Sequence, residues 1–417
     1  MPVPLPGVFD YLPGPDEAKV GSRVLAPFGK RKMVGIVVST AEESDMPRER
    51  LQSVEQVLDG GEALLDPILV GLLRWCWQYY KHAPGEVVAS ALPPALRAAR
   101  GCLPEAPLQY RLTGQGSERL EQPPGRARVQ FAMLEAMREA PAAPEQLASI
   151  GSQWRKTLAA LLAQGWIKAE PKLPLQAQPS PGPDLTAEQA AAVSAISSAS
   201  EGFSCHLLDG VTGSGKTEIY MCLLEQVLAD GGQALVLVPE IGLTPQLLRR
   251  FTQRLGLEPA VIHSGLSAGE RLAAWESVRT GRAPLLVGTR SALFTPMPAL
   301  AMIILDEEHD ASFKQQDGFR YSARDVAVKR AADLDIPVVL GSATPSLESL
   351  NNAVDGKYAW HRLRERATRA SLPAWRVLDM RQQRSFFGLT PSALEAIETT
   401  LGRGEQVMVF LNRRGYA

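Results

Sequence analysis

A phosphate-loop motif constrains the fold of this chain more than any other feature of its sequence. Residues 210–217 read GVTGSGKT, a complete G-x-x-x-x-G-K-[ST] pattern. An apolar segment, residues 203–208, precedes the motif, and a helical pattern over residues 218–228 follows it. A strand, a glycine-rich loop and a helix in this order are the arrangement in which backbone N–H groups surround phosphates. We therefore expect an α/β fold that holds a nucleoside triphosphate.

The residue types of the motif predict separate roles. The ammonium group of Lys216 is expected to reach the β- and γ-phosphates, and the hydroxyl group of Thr217 is expected to ligate Mg²⁺. Upstream, residues 185–189 read LTAEQ, which could place Gln189 at the edge of the adenine. The predicted ATP-binding residues are Gln189, Gly210, Thr212, Gly213, Ser214, Gly215, Lys216 and Thr217.

A second motif supplies the acidic groups that such a site needs. The apolar run over residues 302–305 ends in the sequence DEEHD, which begins at Asp306. At the end of a buried strand, Asp306 would complete the Mg²⁺ shell begun by Thr217, and Glu307 would orient and deprotonate the attacking water. Lys216, Asp306 and Glu307 are therefore the predicted catalytic residues. A glycine-rich turn and an acidic strand end that merely coincide are the alternative.

Composition excludes several classes of protein. A chain of 417 residues has room for about two to four domains. Its formal net charge is −1, so any contact with nucleic acid must come from local patches. The four cysteines form no C-x-x-C pair, so we expect no zinc site in this chain. No apolar run approaches the length of a membrane span, and we expect a cytoplasmic protein without membrane contact.

Two regions precede the nucleotide-binding part. Residues 1–105 contain strand-like runs at residues 22–26 and 33–38 and predict a small β-rich domain. Its helical segment, residues 67–80, carries aromatic residues that suit either base stacking or a hydrophobic core, and the core is the commoner use. Residues 106–172 show two helical patterns followed by a strand, which favours a winged-helix domain that binds DNA or a partner.

The remainder alternates strands with helices. Residues 173–184 are rich in proline and predict a linker. Residues 185–372 form the ATP-binding region, and residues 373–417 begin a further unit with a strand at 407–411. Such alternation predicts a parallel sheet with helices on both faces. The predicted strands of this sheet are residues 205–208, 234–238, 284–287, 302–305 and 338–340.

Further motifs lie at the ends of these strands. They read VPEIGLTPQ, VGTRSALF and GSATPSLES, beginning at residues 238, 287 and 341. Each alone could be an ordinary loop, but ligands bind where the strands of a parallel sheet end. Together with the phosphate loop, DEEHD, HSGL, FLNRRGYA and the N-terminal PLPGVFDYLP, these motifs resemble the superfamily-two helicases. Among them, they resemble the primosomal protein N′ (PriA) family of replication-restart helicases over essentially the whole chain.

The resemblance implies a RecA-like helicase lobe at residues 185–372 and the beginning of a second lobe at 373–417. It implies an ATP-dependent 3′-to-5′ DNA helicase that recognises abandoned forks and starts primosome assembly. Forked and single-stranded DNA, primosome proteins and single-stranded DNA-binding protein are the implied partners. By the same resemblance, Phe9, Asp10 and Tyr11 would line a pocket for a DNA 3′ end, with Asp10 accepting a hydrogen bond from the terminal hydroxyl. From its local sequence alone, Asp10 is more typical of a turn.

One more segment carries a DNA-binding pattern. Residues 313–321 interleave aromatic with basic residues, which suits stacking on bases and contact with phosphates. In the family, this segment resembles an aromatic-rich loop that couples DNA binding to ATP hydrolysis. The alternative is an ordinary loop packed by its own aromatic rings. The predicted DNA-binding residues are Phe313, Lys314, Gln316, Phe319, Arg320 and Tyr321.

The chain departs from the family pattern after residue 417. Family members continue into a cysteine-rich zinc-binding insertion and a motif whose arginine reaches the γ-phosphate. We therefore expect a truncated product, with ATP and Mg²⁺ as cofactors and zinc only in the missing part. We also expect weak ATPase activity or none from these residues alone. Two other hypotheses remain: a non-catalytic fork-binding scaffold, and a small-molecule kinase, against which GSATP and the aromatic-basic loop argue.

Overall fold

The structure is a computed structural model that describes residues 1–99, 101–104, 108–123, 127–171, 179–199, 202–366, 374–379, 381, 385 and 388–410. The chain divides into two compact units, Met1–Thr368 and Arg369–Ala417, which are described separately.

The first unit begins with a three-stranded antiparallel sheet, as the sequence predicts. Its strands are β1 (Arg23–Phe28), β2 (Arg31–Ile36) and β3 (Gln56–Val57), in the order β2-β1-β3. The turn between β1 and β2 uses Gly29, whose φ of 59° suits a residue without a Cβ. The third strand has only two residues and was not predicted, because so short a run carries no readable alternation.

Two helices follow, α1 (Pro67–Tyr79) and α2 (Pro84–Ser90). The side chain of Asp66 caps α1 by accepting from the N–H group of Leu69 at 2.8 Å. The apolar face of α1 packs against a later helix, and its buried side chains belong to the same hydrophobic core as the large sheet. Helices α1 and α2 of the predicted domain 1–105 therefore share their core with the predicted ATP-binding region.

A helical module with its own core comes next. It comprises β4 (Leu108–Leu112), α3 (Gly114–Leu120), α4 (Arg128–Glu135), α5 (Pro144–Ala148), α6 (Trp154–Ala163) and β5 (Ile167–Pro171). Strands β4 and β5 pair in antiparallel fashion, and a bridge from Tyr110 to Ala142 widens this small sheet. Helices packed beside such a small antiparallel sheet agree with the expected winged helix, and the bounds of this domain stay a prediction.

A seven-stranded sheet forms the largest part of the unit. Its elements are α7 (Ala187–Ser198), β6 (Ser204–Gly210), α8 (Lys216–Ala229), β7 (Gln233–Leu237), α9 (Pro245–Leu255), β8 (Ala260–Ile262), α10 (Ala268–Arg279), β9 (Leu285–Gly288), β10 (Leu300–Asp306), α11 (Ala323–Leu334), β11 (Pro337–Ser342), α12 (Leu347–Val354) and β12 (Ala359–Leu363). The strand order is β12-β6-β11-β10-β7-β9-β8, and neighbouring strands run parallel.

Alternate residues of the strands face opposite sides of this sheet. On β10, for example, Ile303 and Leu305 belong to one core cluster, whereas Met302 and Ile304 belong to the other. Both faces are therefore covered, as the alternating pattern predicts. The five predicted strands are confirmed, while β8 and β12 were not predicted.

The second unit contains one described helix, α13 (Pro391–Gly402), capped by the hydroxyl group of Thr390. The predicted strand at residues 407–411 is wrong where it can be examined, because residues 407–410 form no strand. A parallel strand needs a neighbour for its backbone hydrogen bonds, and no strand is present among the described residues of this unit. Residues 411–417, the end of the FLNRRGYA motif, lie outside the described residues, as do residues 173–178 of the predicted linker.

Candidate active site

The phosphate loop connects the end of β6 to the start of α8. Gly213 and Gly215 have φ angles of 82° and 81°, in the left-handed region that residues with a Cβ rarely adopt. A Cβ on Gly210 would lie 2.5 Å from Oγ of Ser214, so the loop also closes tightly on itself. These glycines allow the N–H groups at the start of α8 to turn towards the loop interior, which is the anion-binding arrangement.

Two side chains show that the residues present fit a bound triphosphate with Mg²⁺. Nζ of Lys216 donates to the carbonyl oxygen of Gly210 at 2.9 Å and lies largely buried beneath the loop. Oγ of Ser214 is buried and has no hydrogen-bond partner among the described residues. A buried hydroxyl without a partner is costly, and a phosphate oxygen would satisfy it. Lys216 and Ser214 would thus hold the phosphates, and Thr217 would hold the metal.

The side chain of Gln189 supports the loop from behind. Its Nε2 donates to the carbonyl oxygen of Ser214 at 2.7 Å, and its Oε1 accepts from the N–H group of Thr186 at 2.8 Å. Gln189 therefore connects the start of α7 to the phosphate loop. The predicted contact with adenine stays a prediction.

Asp306 stands at the end of β10, two strands from the phosphate loop. Its Oδ1 accepts a 2.9 Å hydrogen bond from the hydroxyl group of Tyr220 on α8. Burial raises the pKa of Asp306 above its ordinary value, while the hydrogen bond from Tyr220 opposes this rise. A buried carboxylate at this edge suits a divalent cation, which would neutralise its charge. Sequence reasoning missed Tyr220, because a tyrosine in a helix carries no signal of this contact.

The two glutamates after Asp306 have different environments. Glu307 is half-buried and has a φ of 51°, so the chain turns sharply where the predicted base lies. Glu308 is fully buried, and its carboxylate accepts from the N–H group of Ser346 at 2.7 Å, from Oγ of Ser349 at 3.0 Å and from Arg324 at 3.1 Å. These donors hold Glu308 in the core, whereas Glu307 is the glutamate that remains accessible.

A hydrogen-bonded chain connects the acidic motif to the GSATP motif. Nδ1 of His309 lies 2.7 Å from Oγ of Ser342, and Nε2 of His309 lies 3.3 Å from Oγ1 of Thr344. Nδ1 of His309 also lies 3.7 Å from the carboxylate of Glu307. The segments that follow β10 and β11, which the sequence predicts to lie along one edge of the sheet, are therefore in direct contact.

The aromatic rings of the aromatic-basic loop belong to the hydrophobic core. Phe313, Phe319 and Tyr321 are buried, and the rings of Phe319 and Tyr321 stack 4.7 Å apart. Phe319 also meets Tyr80 of the N-terminal region edge-on, at 5.7 Å between ring centroids. Apolar packing covers these three rings in this structure, as the alternative of a loop packed by its own aromatic rings expects, and their contact with bases stays a prediction.

The polar residues of the same loop point to solvent. Lys314, Gln316 and Arg320 are all exposed, as a phosphate contact requires. Nζ of Lys314 donates to the carbonyl oxygen of Arg320 at 2.9 Å, so the two basic residues lie close together. They stay predictions as DNA contacts. Arg290, at the end of β9, donates to the carbonyl oxygen of Ser312 at 2.8 Å and ties this loop to another motif.

The three residues predicted to line a 3′-end pocket lie near the first sheet. Asp10 is exposed and accepts a hydrogen bond from the hydroxyl group of Ser44. Phe9 is 40% exposed and meets the ring of Phe28 edge-on. The hydroxyl group of Tyr11, by contrast, donates to the carbonyl oxygen of Pro27 at 2.7 Å. Phe9 and Asp10 therefore face solvent, whereas Tyr11 also supports the sheet.

Comparison with known proteins gives two family matches. Residues 1–93 match the profile of the 3′ DNA-binding domain (3′BD) of PriA, and residues 186–353 match that of the DEAD/DEAH box helicases. The replication restart protein PriA of Haemophilus influenzae is 41% identical, and the alignment covers 100% of this chain and 58% of that protein. The Bacillus subtilis protein of the same name is 33% identical, with 98% and 60% covered.

The chain thus spans about 58% of the length of the Haemophilus relative. A solved structure of RecG bound to a three-way DNA junction overlaps 54% of this chain and 29% of its own, with a TM-score of 0.38 and 19% sequence identity. An overlap of that size does not identify a function. Separately, none of the helices that the structure describes is both long and apolar enough to cross a membrane.

Proposed function

This chain belongs to the PriA family of replication restart proteins, and we propose that it forms the DNA-binding and ATP-hydrolysing part of a 3′-to-5′ DNA helicase. Its substrate would be a stalled or abandoned replication fork, from which it would initiate primosome assembly. One observation supports this proposal most strongly. Lys216, Asp306 and Glu307 lie at one edge of the large sheet, in a chain whose N-terminal region matches a 3′ DNA-binding domain.

ATP with Mg²⁺ supplies an activated phosphoanhydride bond and a divalent charge at this edge. The chain's own residues then have distinct tasks. Lys216 and the N–H groups at the start of α8 bind phosphate oxygens, and Thr217 and Asp306 ligate the metal. Glu307 accepts a proton from water, because it is the accessible carboxylate next to Asp306. Gln189 would recognise the adenine edge while it supports the phosphate loop.

DNA would contact the chain in two places. Lys314, Gln316 and Arg320 would bind the backbone of a single strand, since they are the exposed polar side chains of the aromatic-basic loop. At the opposite end of the sequence, Phe9 and Asp10 would receive a DNA 3′ end, with Tyr11 holding the adjoining strand in place. The hydrogen bonds from His309 to Ser342 and Thr344 would transmit contacts at the strand ends to Glu307.

The same proposal includes the protein partners of this chain and its location in the cell. Primosome proteins and single-stranded DNA-binding protein would act with this chain in the cytoplasm. Zinc would be bound by the part of such proteins that follows the residues present here. Among the residues that the structure describes, no group of three or more His, Cys, Asp or Glu side chains is placed to hold a metal ion.

The test is ATP turnover by this chain with and without forked DNA, together with nucleotide binding by calorimetry. We expect Mg²⁺-dependent ATP binding that Lys216→Ala removes, because a phosphate charge loses its cationic partner. Lys314→Ala, on the exposed loop, is the matched control and should retain it. A folded Lys216→Ala variant that binds ATP like the wild type would refute the nucleotide site. A chain that also carries the second motor lobe and binds ATP and forks, but shows no turnover, would instead be a scaffold.

A further inference from the structure

A cavity of about 190 Å³ lies within the first unit, between the N-terminal helices and the large sheet. One wall comes from the end of α2 and the 3₁₀ turn after it, and the opposite wall comes from α10. The aromatic-basic loop closes the third side with Gln315, Phe319 and Tyr321. This cavity is separate from the phosphate loop, and none of the ATP-binding residues named above lines it.

The cavity is built on rigid elements. Nε1 of Trp275 on α10 donates to the carbonyl oxygen of Ala91 at 3.1 Å, which joins the two walls through a buried hydrogen bond. Phe294 and Tyr321 are buried beneath it, with ring centroids 5.0 Å apart. The hydroxyl group of Tyr321 donates to the carbonyl oxygen of Arg290 at 3.2 Å. The shape of the cavity is therefore held by contacts between parts of the chain that are distant in sequence.

Two arginines line the cavity, Arg97 from the 3₁₀ turn after α2 and Arg271 from α10. Nε and Nη2 of Arg97 donate to the carbonyl oxygen of Leu92, at 3.1 and 3.0 Å. Nη2 of Arg271 donates to the carbonyl oxygen of His263 at 2.6 Å. These bonds orient each guanidinium but use only part of its five N–H donors. Within the described residues, no carboxylate lies within 4.0 Å of either group.

The two positive charges affect each other. Burial lowers the pKa of Arg97, and the charge of Arg271 lowers it further. The two like charges repel each other, and a bound anion would offset that repulsion. Ser291, Thr295 and Gln315 add hydroxyl and amide groups to the lining. Planar guanidinium groups match the geometry of phosphate and of carboxylate groups, and phosphate is the anion that a DNA strand carries.

We propose that this cavity binds a backbone phosphate of single-stranded DNA at the junction of the N-terminal region and the motor, with Arg97 and Arg271 as its ligands. The inference rests on the proposed function. Lys314 and Arg320 are exposed on the loop that closes the cavity, so a strand that contacts them can continue into it. A strand bound there contacts both the N-terminal region and the large sheet. DNA binding at the N-terminal region is then linked to ATP hydrolysis at the sheet.

Salt dependence of DNA affinity measures this contact directly. Each phosphate contact of a single strand contributes about 0.7 to the slope of log affinity against log salt concentration. In the full chain, Arg97→Gln and Arg271→Gln should each lower the slope by about 0.7, as measured by fluorescence anisotropy with a labelled oligonucleotide. Arg97→Lys keeps the charge and should preserve the slope. Arg282→Gln is the matched control. This substitution removes the same charge from the loop after α10, but Arg282 does not line the cavity.

Thermal unfolding verifies that each variant is folded, and calorimetry with inorganic phosphate separates a DNA phosphate from a free one. Lowered slopes in the two cavity variants, with Arg282→Gln unchanged, support the proposal. Wild-type slopes in both cavity variants overturn it while leaving the proposed function intact. Phosphate binding that is lost in the variants, with DNA slopes unchanged, also overturns it in favour of a free-phosphate site. A wild-type chain that binds no single-stranded DNA overturns this inference and the proposed function together.

Discussion

The hydroxyl group of Tyr220 donates a hydrogen bond of 2.9 Å to Oδ1 of Asp306. Tyr220 lies one turn beyond Lys216 on α8, so the helix that begins at the phosphate loop also holds the acidic residue of β10. Gly341 on β11 makes the contact possible, since a Cβ there would lie 1.7 Å from the tyrosine oxygen. Three motifs that are distant in sequence therefore meet around one carboxylate, which is the metal ligand that we propose.

In the nucleotide-free protein, the ionised carboxylate of Asp306 should lower the free energy of unfolding. Because burial raises the pKa of Asp306 above its ordinary value of 3.8, folding disfavours its ionised form. The cost appears as the pH rises from about 3.8 through the raised pKa, and it is fully present at pH 7. Asp306→Asn removes the charge and should raise the unfolding midpoint at pH 7, while it abolishes Mg²⁺-dependent ATP binding.

Thermal unfolding at several pH values tests this expectation. The gain in midpoint should shrink as the pH falls through the raised pKa of Asp306 towards 3.8, because the wild-type carboxyl group is then protonated. Glu307→Gln is the matched control, because Glu307 is more exposed and its replacement should leave the midpoint nearly unchanged. A gain that is equal at all pH values would mean that the charge of Asp306 is not its source.

The two glutamates of the acidic motif should respond differently to the same substitution. In a chain that also carries the second motor lobe, Glu307→Gln should keep ATP and Mg²⁺ bound but lower turnover by about 10²–10⁴, because the base is lost. Glu308→Gln should instead lower the free energy of unfolding by about 1–3 kcal/mol, since a neutral amide replaces a fully buried carboxylate that accepts hydrogen bonds from Ser346, Ser349 and Arg324. Calorimetry, turnover and denaturant unfolding of both variants separate catalysis from stability. Normal turnover by Glu307→Gln would place the base elsewhere.

Much of the large sheet could be predicted because its strands are continuous apolar runs, each followed by a loop with a recognisable motif. Leu300–Asp306 is the clearest case, since an uninterrupted buried strand ends in the acidic residues. Strand β8 escaped prediction because three residues give no periodicity to read. Short edge strands form through their neighbours, and no local pattern specifies them.

The contacts that the sequence could not reveal join distant segments. Phe319 and Tyr321 occur in a pattern typical of base stacking, and only the fold shows that Tyr80 and Phe294 cover their rings. Similarly, the apolar face of α1 predicts burial but not the partner, which is α11 of the ATP-binding region. Periodicity indicates which side chains are buried, whereas the tertiary fold determines which residues they pack against.

The buried rings of the aromatic-basic loop predict a stability effect. Phe319→Ala should lower the free energy of unfolding by about 3–5 kcal/mol, because it removes a ring packed against Tyr80 and Tyr321. Arg320→Ala, its exposed neighbour, should leave stability unchanged and weaken single-stranded DNA binding in a salt-dependent way. Denaturant unfolding of both variants measures stability, and fluorescence anisotropy measures their binding to single-stranded DNA. A Phe319→Ala variant of normal stability that loses DNA binding would support the stacking role.

The last prediction concerns the DNA 3′ end and uses the whole chain, because the helices after residue 66 share their core with the large sheet. A strand that ends in a 3′ hydroxyl should bind more tightly than one that ends in a 3′ phosphate. The hydroxyl can donate to Asp10, whereas a phosphate places negative charge beside its carboxylate. A hydrogen bond to a charged group is worth about 1.5–3 kcal/mol, so we expect a preference of at least about tenfold.

Asp10→Ala should remove this preference, because it removes the acceptor. Ser44→Ala, which deletes the neighbouring hydroxyl that bonds to Asp10, should retain it. Fluorescence anisotropy at fixed salt concentration, with oligonucleotides that differ only at the 3′ end, gives the ratio of affinities. Equal affinity of the wild-type chain for both ends would leave residues 1–105 as a surface that contacts phosphates whatever the terminus, since a purely electrostatic surface does not distinguish strand ends.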